Sequence, residues 1–377
     1  MTGAGGLVLR ASGVSVSYDG PTRTAAVREV DLELRRGEIL GLAGESGCGK
    51  STLAYALTRL LRPPARLTGG KIEFFESDSN VPLDVLALGA RALRQFRWSR
   101  VAMVFQSAMN ALNPVINLGK QFDDIFRTHR PAMGEEERRA RAAELLEMVG
   151  IEPGRIGSFP HELSGGMRQR VVIAMALALQ PDLVVMDEPT TALDVVVQRE
   201  ILDEVDRLRR ELGFSVLFIT HDLSLLLEIS DRLAIMYAGR IVEHGPAEAI
   251  GSNPTHPYTL GLLESFPQMA GPRRDLHGIP GSPPDLRLRL PGCSFAPRCR
   301  YAFDACWELA PSLVTPGGLN PRAPGRAEQR EVACHLQEPS ILPGGPPPEL
   351  SRSGVPHAGL GGGEVGSVRS ELGREPR

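Results

Sequence analysis

"EILGLAGESGCGKSTLAYALTRLL", residues 38–61, passes from a short apolar run through a glycine-rich turn into a helical pattern. Residues 38–44 read as a buried strand and 50–61 as the helix that follows it. Between them "GESGCGKS", 44–51, fits G-x-x-x-x-G-K-[ST], with the preceding strand and following helix that this pattern requires. Gly44, Gly47 and Gly49 let backbone N–H groups close around phosphate oxygens, and the helix start adds partial positive charge. Lys50 is expected to reach the β- and γ-phosphates of a nucleotide, and the Ser51 hydroxyl to ligate Mg²⁺.

Further apolar strands lie on either side: "RVAMVFQ" (100–106), "LVVMDEP" (183–189) and "SVLFIT" (215–220). Their continuous apolar character suits a parallel sheet covered on both faces, and the helical patterns between them argue for an α/β fold. "EEERRARAAELLEMVG" (135–150) reads as an amphipathic helix stopped by Gly150. Several strands end in polar residues. Asp187 is placed to hold Mg²⁺, and Glu188 to orient and deprotonate an attacking water. Gln106 and His221 close two other strands, and Asp194 follows "TTAL"; ligands bind at the carboxyl ends of such strands, so all three are candidates to reach the γ-phosphate.

Composition bounds the rest. The chain has 377 residues, 42% hydrophobic and 23% charged, enough for one large domain and a smaller one. Its net charge of -3 shows no overall basic bias, so nucleic acid is not an expected partner. No apolar run reaches the roughly 20 residues needed to span a bilayer, and the start lacks a signal-peptide pattern, so a soluble cytoplasmic chain is expected. Residues 1–250 are read as the nucleotide domain, with a helical subdomain over about 107–180. Residues 251–340 form an extension rich in Pro and Gly in which strands are expected to vanish, and 341–377 read as a disordered tail.

"LSGGM" (163–167) sits at another helix start. Ser164 is a good N-cap, and Gly165 and Gly166 expose N–H groups, so the segment reads as a second anion site. The chain already has a phosphate loop of its own, and the residues alone leave open whose phosphate this second site takes.

Cys293, Cys299, Cys306 and Cys334, four of the five cysteines, lie in the extension. A cytosolic setting disfavours disulfides, and thiolates in a segment short of core residues suggest a metal. The gaps are wider than those of zinc sites, and Cys₄ ligation also suits an iron–sulfur cluster. Cluster, zinc and unliganded structural cysteines all remain open on spacing.

The ordered set "GESGCGKS", "FQ", "LSGGMRQR", "LVVMDEP", "ALD" and "ITH" resembles the ATP-binding cassette ATPases. "ALNPVINLGKQ", "DEPTTALDVVVQ", "HPYTLGLLESFP" and the cysteine-bearing tail look like the dipeptide/oligopeptide (and nickel) importer subunits, over roughly residues 7–337. That resemblance implies a RecA-like core with an antiparallel β subdomain and a helical subdomain. It implies ATP and Mg²⁺ as ligands, with Ser51, Gln106 and Asp187 at the magnesium and Glu188, Gln106 and His221 at the reacting phosphate. Tyr18 matches the aromatic residue that stacks on adenine. Residues Gly44–Thr52 (Glu45, Ser46 and Cys48 included) match the phosphate loop, in which Cys48 stands at a variable position.

Two such ATPases pack head to tail, which implies that Ser164, Gly165 and Gly166 grip ATP held by a second subunit, itself expected to be a distinct chain. Met167 stands where many cassettes have Gln. The resemblance further implies two transmembrane permease subunits, which meet the stretch after Gln106, and an extracytoplasmic substrate-binding protein. It places the chain peripherally at the cytoplasmic membrane face, importing peptides or, in the alternative, nickel. It also favours a four-iron, four-sulfur cluster on the four cysteines. A non-transport cassette ATPase usually carries two cassettes or a coiled-coil insertion, and neither occurs here.

Overall fold

The computed structural model describes residues 6–77, 81–106, 111–191, 193–265, 278–288, 290–316, 330–347 and 350. In chain order it runs β1 (Leu7–Tyr18), β2 (Thr24–Arg35), β3 (Ile39–Ala43), α1 (Lys50–Leu57), β4 (Ala65–Phe74), β5 (Leu83–Asp84), α2 (Ala90–Ser99) and β6 (Val101–Val104). There follow α3 (Leu118–His129), α4 (Glu135–Met148), α5 (Gly165–Ala176), β7 (Leu183–Asp187), α6 (Val195–Leu212), β8 (Ser215–Ile219), α7 (Leu223–Ile229), β9 (Arg232–Tyr237) and β10 (Arg240–Pro246). The chain closes with α8 (Ala247–Ser252), α9 (Pro257–Glu264), α10 (Asp304–Glu308) and β11 (Glu331–Val332).

Two sheets result. A seven-stranded sheet has the order β11-β10-β9-β3-β8-β7-β6, and a four-stranded antiparallel sheet the order β2-β1-β4-β5. In the larger sheet β9, β3, β8, β7 and β6 are parallel, whereas β10 and β11 join antiparallel at one edge. Every residue of β3, β7 and β8 is buried, as a parallel sheet covered on both faces requires. The two-residue period of a strand then divides their side chains between two cores. Val184, Met186, Val216 and Phe218 point to the face packed by α3, α4, α5 and α6, where Phe122, Phe126, Leu145, Leu146 and Leu202 are buried. Val185, Leu217, Ile219, Leu40 and Leu42 point to the opposite face, against α1 and the antiparallel sheet.

Two expectations need correction. The helix read over 50–61 ends at Leu57, because the Thr58 hydroxyl donates to the Ala54 carbonyl and Arg59 turns to φ 53°. Strands do not vanish after Pro254. β11 pairs with β10, Glu243 opposite Val332 and His244 opposite Glu331. Its hydrogen-bonding partner is an edge 87 residues earlier in the chain, so two residues suffice where no local strand pattern is visible.

The extension is tied down at buried Glu243. Its carboxylate accepts from the Thr255 N–H and hydroxyl, from the His256 N–H and from the Arg330 guanidinium at 2.6 Å. Val332, Cys334, Leu336, Leu260 and Leu350 make a small core of their own. Most of the expected disordered tail lies outside the described residues, as do residues 107–110 of the stretch after Gln106.

Candidate nucleotide site

β3 delivers the chain to the loop 44–49, and α1 leaves it. Gly49 has φ 109°, and a Cβ there would lie 2.2 Å from the Ala26 carbonyl oxygen. Gly44 (φ 151°) is closed off in the same way by the Met236 carbonyl at 2.2 Å. A side chain at either position would break the loop, so both glycines are required by close backbone approach. The Lys50 ammonium folds into the loop and donates to the carbonyls of Gly44 at 2.6 Å and Glu45 at 3.1 Å. Cys48 is buried beside it, and burial pushes its thiol up.

Ser51, on the first turn of α1, donates to Asp187 Oδ1 at 3.0 Å. Asp187 ends β7, fully buried, and its Oδ2 has no hydrogen-bond partner. Burial, with the neighbouring Glu188 charge, pushes its carboxyl up, against the opposing pull of Ser51 and Lys50. A buried carboxylate oxygen without a donor, next to a serine hydroxyl, is the donor chemistry that Mg²⁺ takes. Ser51 and Asp187 therefore fit that ion. Gln106 lies one residue further, through Glu188.

Glu188 is held in the left-handed region at φ 46°, a strained position for a non-glycine residue. Its carboxylate gathers three partners. Gln106 Nε2 donates at 2.9 Å, the Thr191 hydroxyl donates at 3.1 Å, and His221 Nδ1 lies 3.3 Å away. Five of the predicted residues, Glu45, Ser46, Gln106, Glu188 and His221, line one open cleft of about 470 Å³. The other walls are Leu262, Ser265 and Ile279 of the extension. Tyr18 meets the same loop from the antiparallel sheet, its hydroxyl 2.9 Å from the Thr52 hydroxyl.

Asp194 is not gathered into this cleft. Its carboxylate caps α6, accepting from the N–H groups of Val196 and Val197 at 3.1 and 3.0 Å. Ser164 likewise caps α5, accepting from the Met167 N–H at 3.2 Å. Gly166 faces Val197, whose Cγ1 would lie 2.7 Å from a Cβ. None of Ser164, Gly165 and Gly166 lines the cleft of the chain's own phosphate loop.

Two residues at the loop escaped the sequence reading. The Glu45 N–H donates to the Tyr258 hydroxyl at 2.8 Å, and the Glu45 carboxylate is paired with Arg298. Both partners come from the extension, more than 200 residues away in sequence, and no motif spacing signals them.

Cys293, Cys299, Cys306 and Cys334 line one small enclosed cavity with His256 and Phe295. All are free thiols. Burial pushes Cys299 up to about 11, and Cys293 and Cys334 up as well. Among the described residues, no three His, Cys, Asp or Glu are drawn together as the ligands of a single metal ion. The tight tetrahedron of a zinc site is therefore not present among the described residues; the four sulfurs, those of Cys306 and Cys334 buried and those of Cys293 and Cys299 half-buried, stand unbridged around one cavity.

Residues 27–191 match the ABC transporter model, and residues 242–306 match the model of the oligopeptide/dipeptide transporter C-terminal region. A relative described as a "putative peptide import ATP-binding protein" of Brucella melitensis is 45% identical over 299 residues, 77% of this chain and 88% of the relative. One of Brucella abortus, described in the same words, is 43% identical over 328 residues, 86% of this chain and 96% of the relative. The chain belongs to the ABC transporter family. Among solved ABC cassettes, the dimeric MJ0796 bound to ADP and Pi is 29% identical with a TM-score of 0.55, covering 63% of this chain and 98% of that one. The cbiO1 subunit of Clostridium perfringens, part of an ABC transporter complex, is 27% identical with a TM-score of 0.55, covering 65% and 91%. This ABC protein is an ATP-binding ATPase with a C-terminal region of the oligopeptide/dipeptide type. Among the described residues, no helix is long and apolar enough to cross a membrane.

Proposed function

We propose that this chain is the ATP-hydrolysing subunit of an importer for dipeptides and oligopeptides, held at the cytoplasmic membrane face by two permease subunits. The observation that carries the reading is the extension of oligopeptide/dipeptide type, which forms a wall of the nucleotide cleft instead of hanging free of it. ATP lies with its phosphates on the amides of Gly44–Thr52, Lys50 leaves the loop carbonyls for the β- and γ-phosphates, and Tyr18 supports the adenine. Ser51, Asp187 and Gln106 would hold a magnesium ion, which would neutralise phosphate charge. Glu188 takes the proton of the attacking water, and Gln106, Thr191 and His221 fix its two oxygens for that task.

Ser164, Gly165 and Gly166 open α5 against the start of α6, beside exposed Val195 and Val196, which supports their use on ATP held by a second, related ATPase subunit. Asp194, in the α6 cap beside exposed Val195 and Val196, belongs to that same surface. Closure of the pair on ATP and reopening after hydrolysis would drive the permeases, with cargo delivered by an extracytoplasmic binding protein. Cys293, Cys299, Cys306 and Cys334 would hold a four-iron, four-sulfur cluster with a structural role, supported by four free thiols around one cavity.

The test is reconstitution with the co-purifying permeases and binding protein in proteoliposomes. ATP-dependent uptake of a labelled oligopeptide is expected; nickel uptake with no peptide uptake would overturn the cargo, and full activity with this ATPase alone in two copies would overturn the mixed pair. Anaerobic purification with iron and sulfide analysis tests the cluster; stoichiometric zinc without iron would sink it.

A further inference from the structure

Arg298 occupies the short turn between Cys293 and Cys299, and it is buried. Its guanidinium forms a two-pronged pair with Glu45 of the phosphate loop, Nη1 to Oε2 at 2.6 Å and Nη2 to Oε1 at 2.9 Å. Its Nε donates to the Pro280 carbonyl at 2.8 Å, and Nη1 also reaches the Tyr237 hydroxyl at 3.3 Å. The planar group lies over the rings of Tyr237 and Phe295. Tyr258 packs on the same two rings, with centroids 4.5 and 5.4 Å away, and its hydroxyl takes the Glu45 N–H.

Glu45 is thus held at both its carboxylate and its amide by the extension. Its negative charge stands at the mouth of a site built for a triphosphate, where an unpaired carboxylate would repel the ligand. A bidentate guanidinium that is already buried and stacked offsets that charge through Glu45.

We propose that Arg298 is a positioning residue for the nucleotide site: through Glu45 it holds the phosphate loop in shape and offsets the loop's own negative charge. ATP affinity in this ATPase then depends on the docked extension, a part of the chain outside the nucleotide fold. The proposal rests on the phosphate loop being the ATP site, and Lys50→Ala, which should abolish ATP binding whatever Arg298 does, tests that reading separately.

The experiment is calorimetric titration of ATP·Mg²⁺ into the full-length chain, with kcat and KM measured on the assembled complex and melting followed as a check on folding. Arg298→Ala should weaken ATP binding and raise KM about tenfold, with kcat falling less than about threefold. Arg298→Lys, which keeps the charge but not the fork, should lie between wild type and Ala. Adding Glu45→Gln to Arg298→Ala should recover most of the affinity, because the repelling charge is gone; a packing role alone would not be relieved in this way. Should Arg298→Ala fail to fold, Tyr258→Phe keeps the rings and frees only the Glu45 N–H, with a rise of about threefold expected. Unchanged ATP affinity in Arg298→Ala, or in both Arg298→Lys and Tyr258→Phe, overturns the proposal, as does a loss that Glu45→Gln fails to relieve.

Discussion

Glu188 shows how much a single side chain depends on its neighbours. Its backbone is held at a positive φ, and its two carboxylate oxygens are fixed by Gln106, Thr191 and His221. Replacing it with Gln keeps the shape and removes the base. Glu188→Gln is expected to bind ATP normally and to lose hydrolysis by about 10²–10⁴-fold in the assembled complex; turnover near wild type in a phosphate-release assay would exclude Glu188 as the base. Asp187 behaves differently because one oxygen already takes the Ser51 hydroxyl and the other has no protein donor. Asp187→Asn should therefore lose magnesium-dependent affinity while leaving metal-free ATP binding nearly intact, and equal losses with and without Mg²⁺ would contradict the assignment.

Elements are set against one another by close contact as much as by hydrophobic burial. α5 begins at Gly165 and meets α6 where Gly166 faces Val197, with room for no Cβ. Gly166→Asp should push these helix starts apart and place a charge beside any phosphate bound there. ATP binding at the chain's own loop is expected to survive, and turnover of the assembled complex to fall at least tenfold; loss of binding by the isolated chain would show that "LSGGM" serves its own nucleotide.

The extension is held by different chemistry. Burial opposes ionisation of Glu243, but Arg330 and the hydroxyls of Thr259 and Thr255 outweigh it and hold the carboxyl below its usual range. Burial lowers His256 from 6.5 to about 4. Both groups have depressed folded-state values, so the stability they contribute is present at neutral pH and is lost as pH falls. For His256 the loss runs from about 6.5 down to about 4, an effect of up to about 3 kcal/mol. Protection factors for amide exchange, corrected for the intrinsic rate at each pH, should fall in residues 242–265 and 330–338 between pH 7 and pH 4.5, ahead of those in β3, β7 and β8. Uniform exchange across all of these would refute a separate acid-sensitive dock.

At the scale of the whole molecule, the seven-stranded sheet is extended at its edge by a segment that also closes round the phosphate loop. β10 and β11 carry the sheet into the extension, Glu243 anchors it, and Arg298 and Tyr258 return to Glu45. Changes in the cysteine cavity are therefore next to the nucleotide site in space: Phe295 lines the cavity and also lies under Arg298. Cys299→Ser is expected to loosen residues 290–316 in limited proteolysis and to weaken ATP binding about threefold, by way of its neighbour Arg298. Unaltered proteolysis together with unaltered ATP affinity would separate the two sites.

The sequence by itself determined the parallel sheet, the phosphate loop and the acidic strand end, because these depend on local pattern: apolar runs, glycines at fixed offsets, and polar residues where strands stop. The order of Gln106, Asp187, Glu188 and His221 along the chain was enough to place them at one sheet edge, since every strand that carries them runs in the same direction. Tertiary structure alone placed the Asp194 carboxylate on its own helix start, as the cap of α6. It alone decided the two-residue strand β11 and the pairing of Arg298 and Tyr258 with Glu45. These contacts join segments up to 253 residues apart. A buried charge or an unpaired sheet edge finds its partner wherever packing brings one, and neither leaves a period or a spacing in the chain.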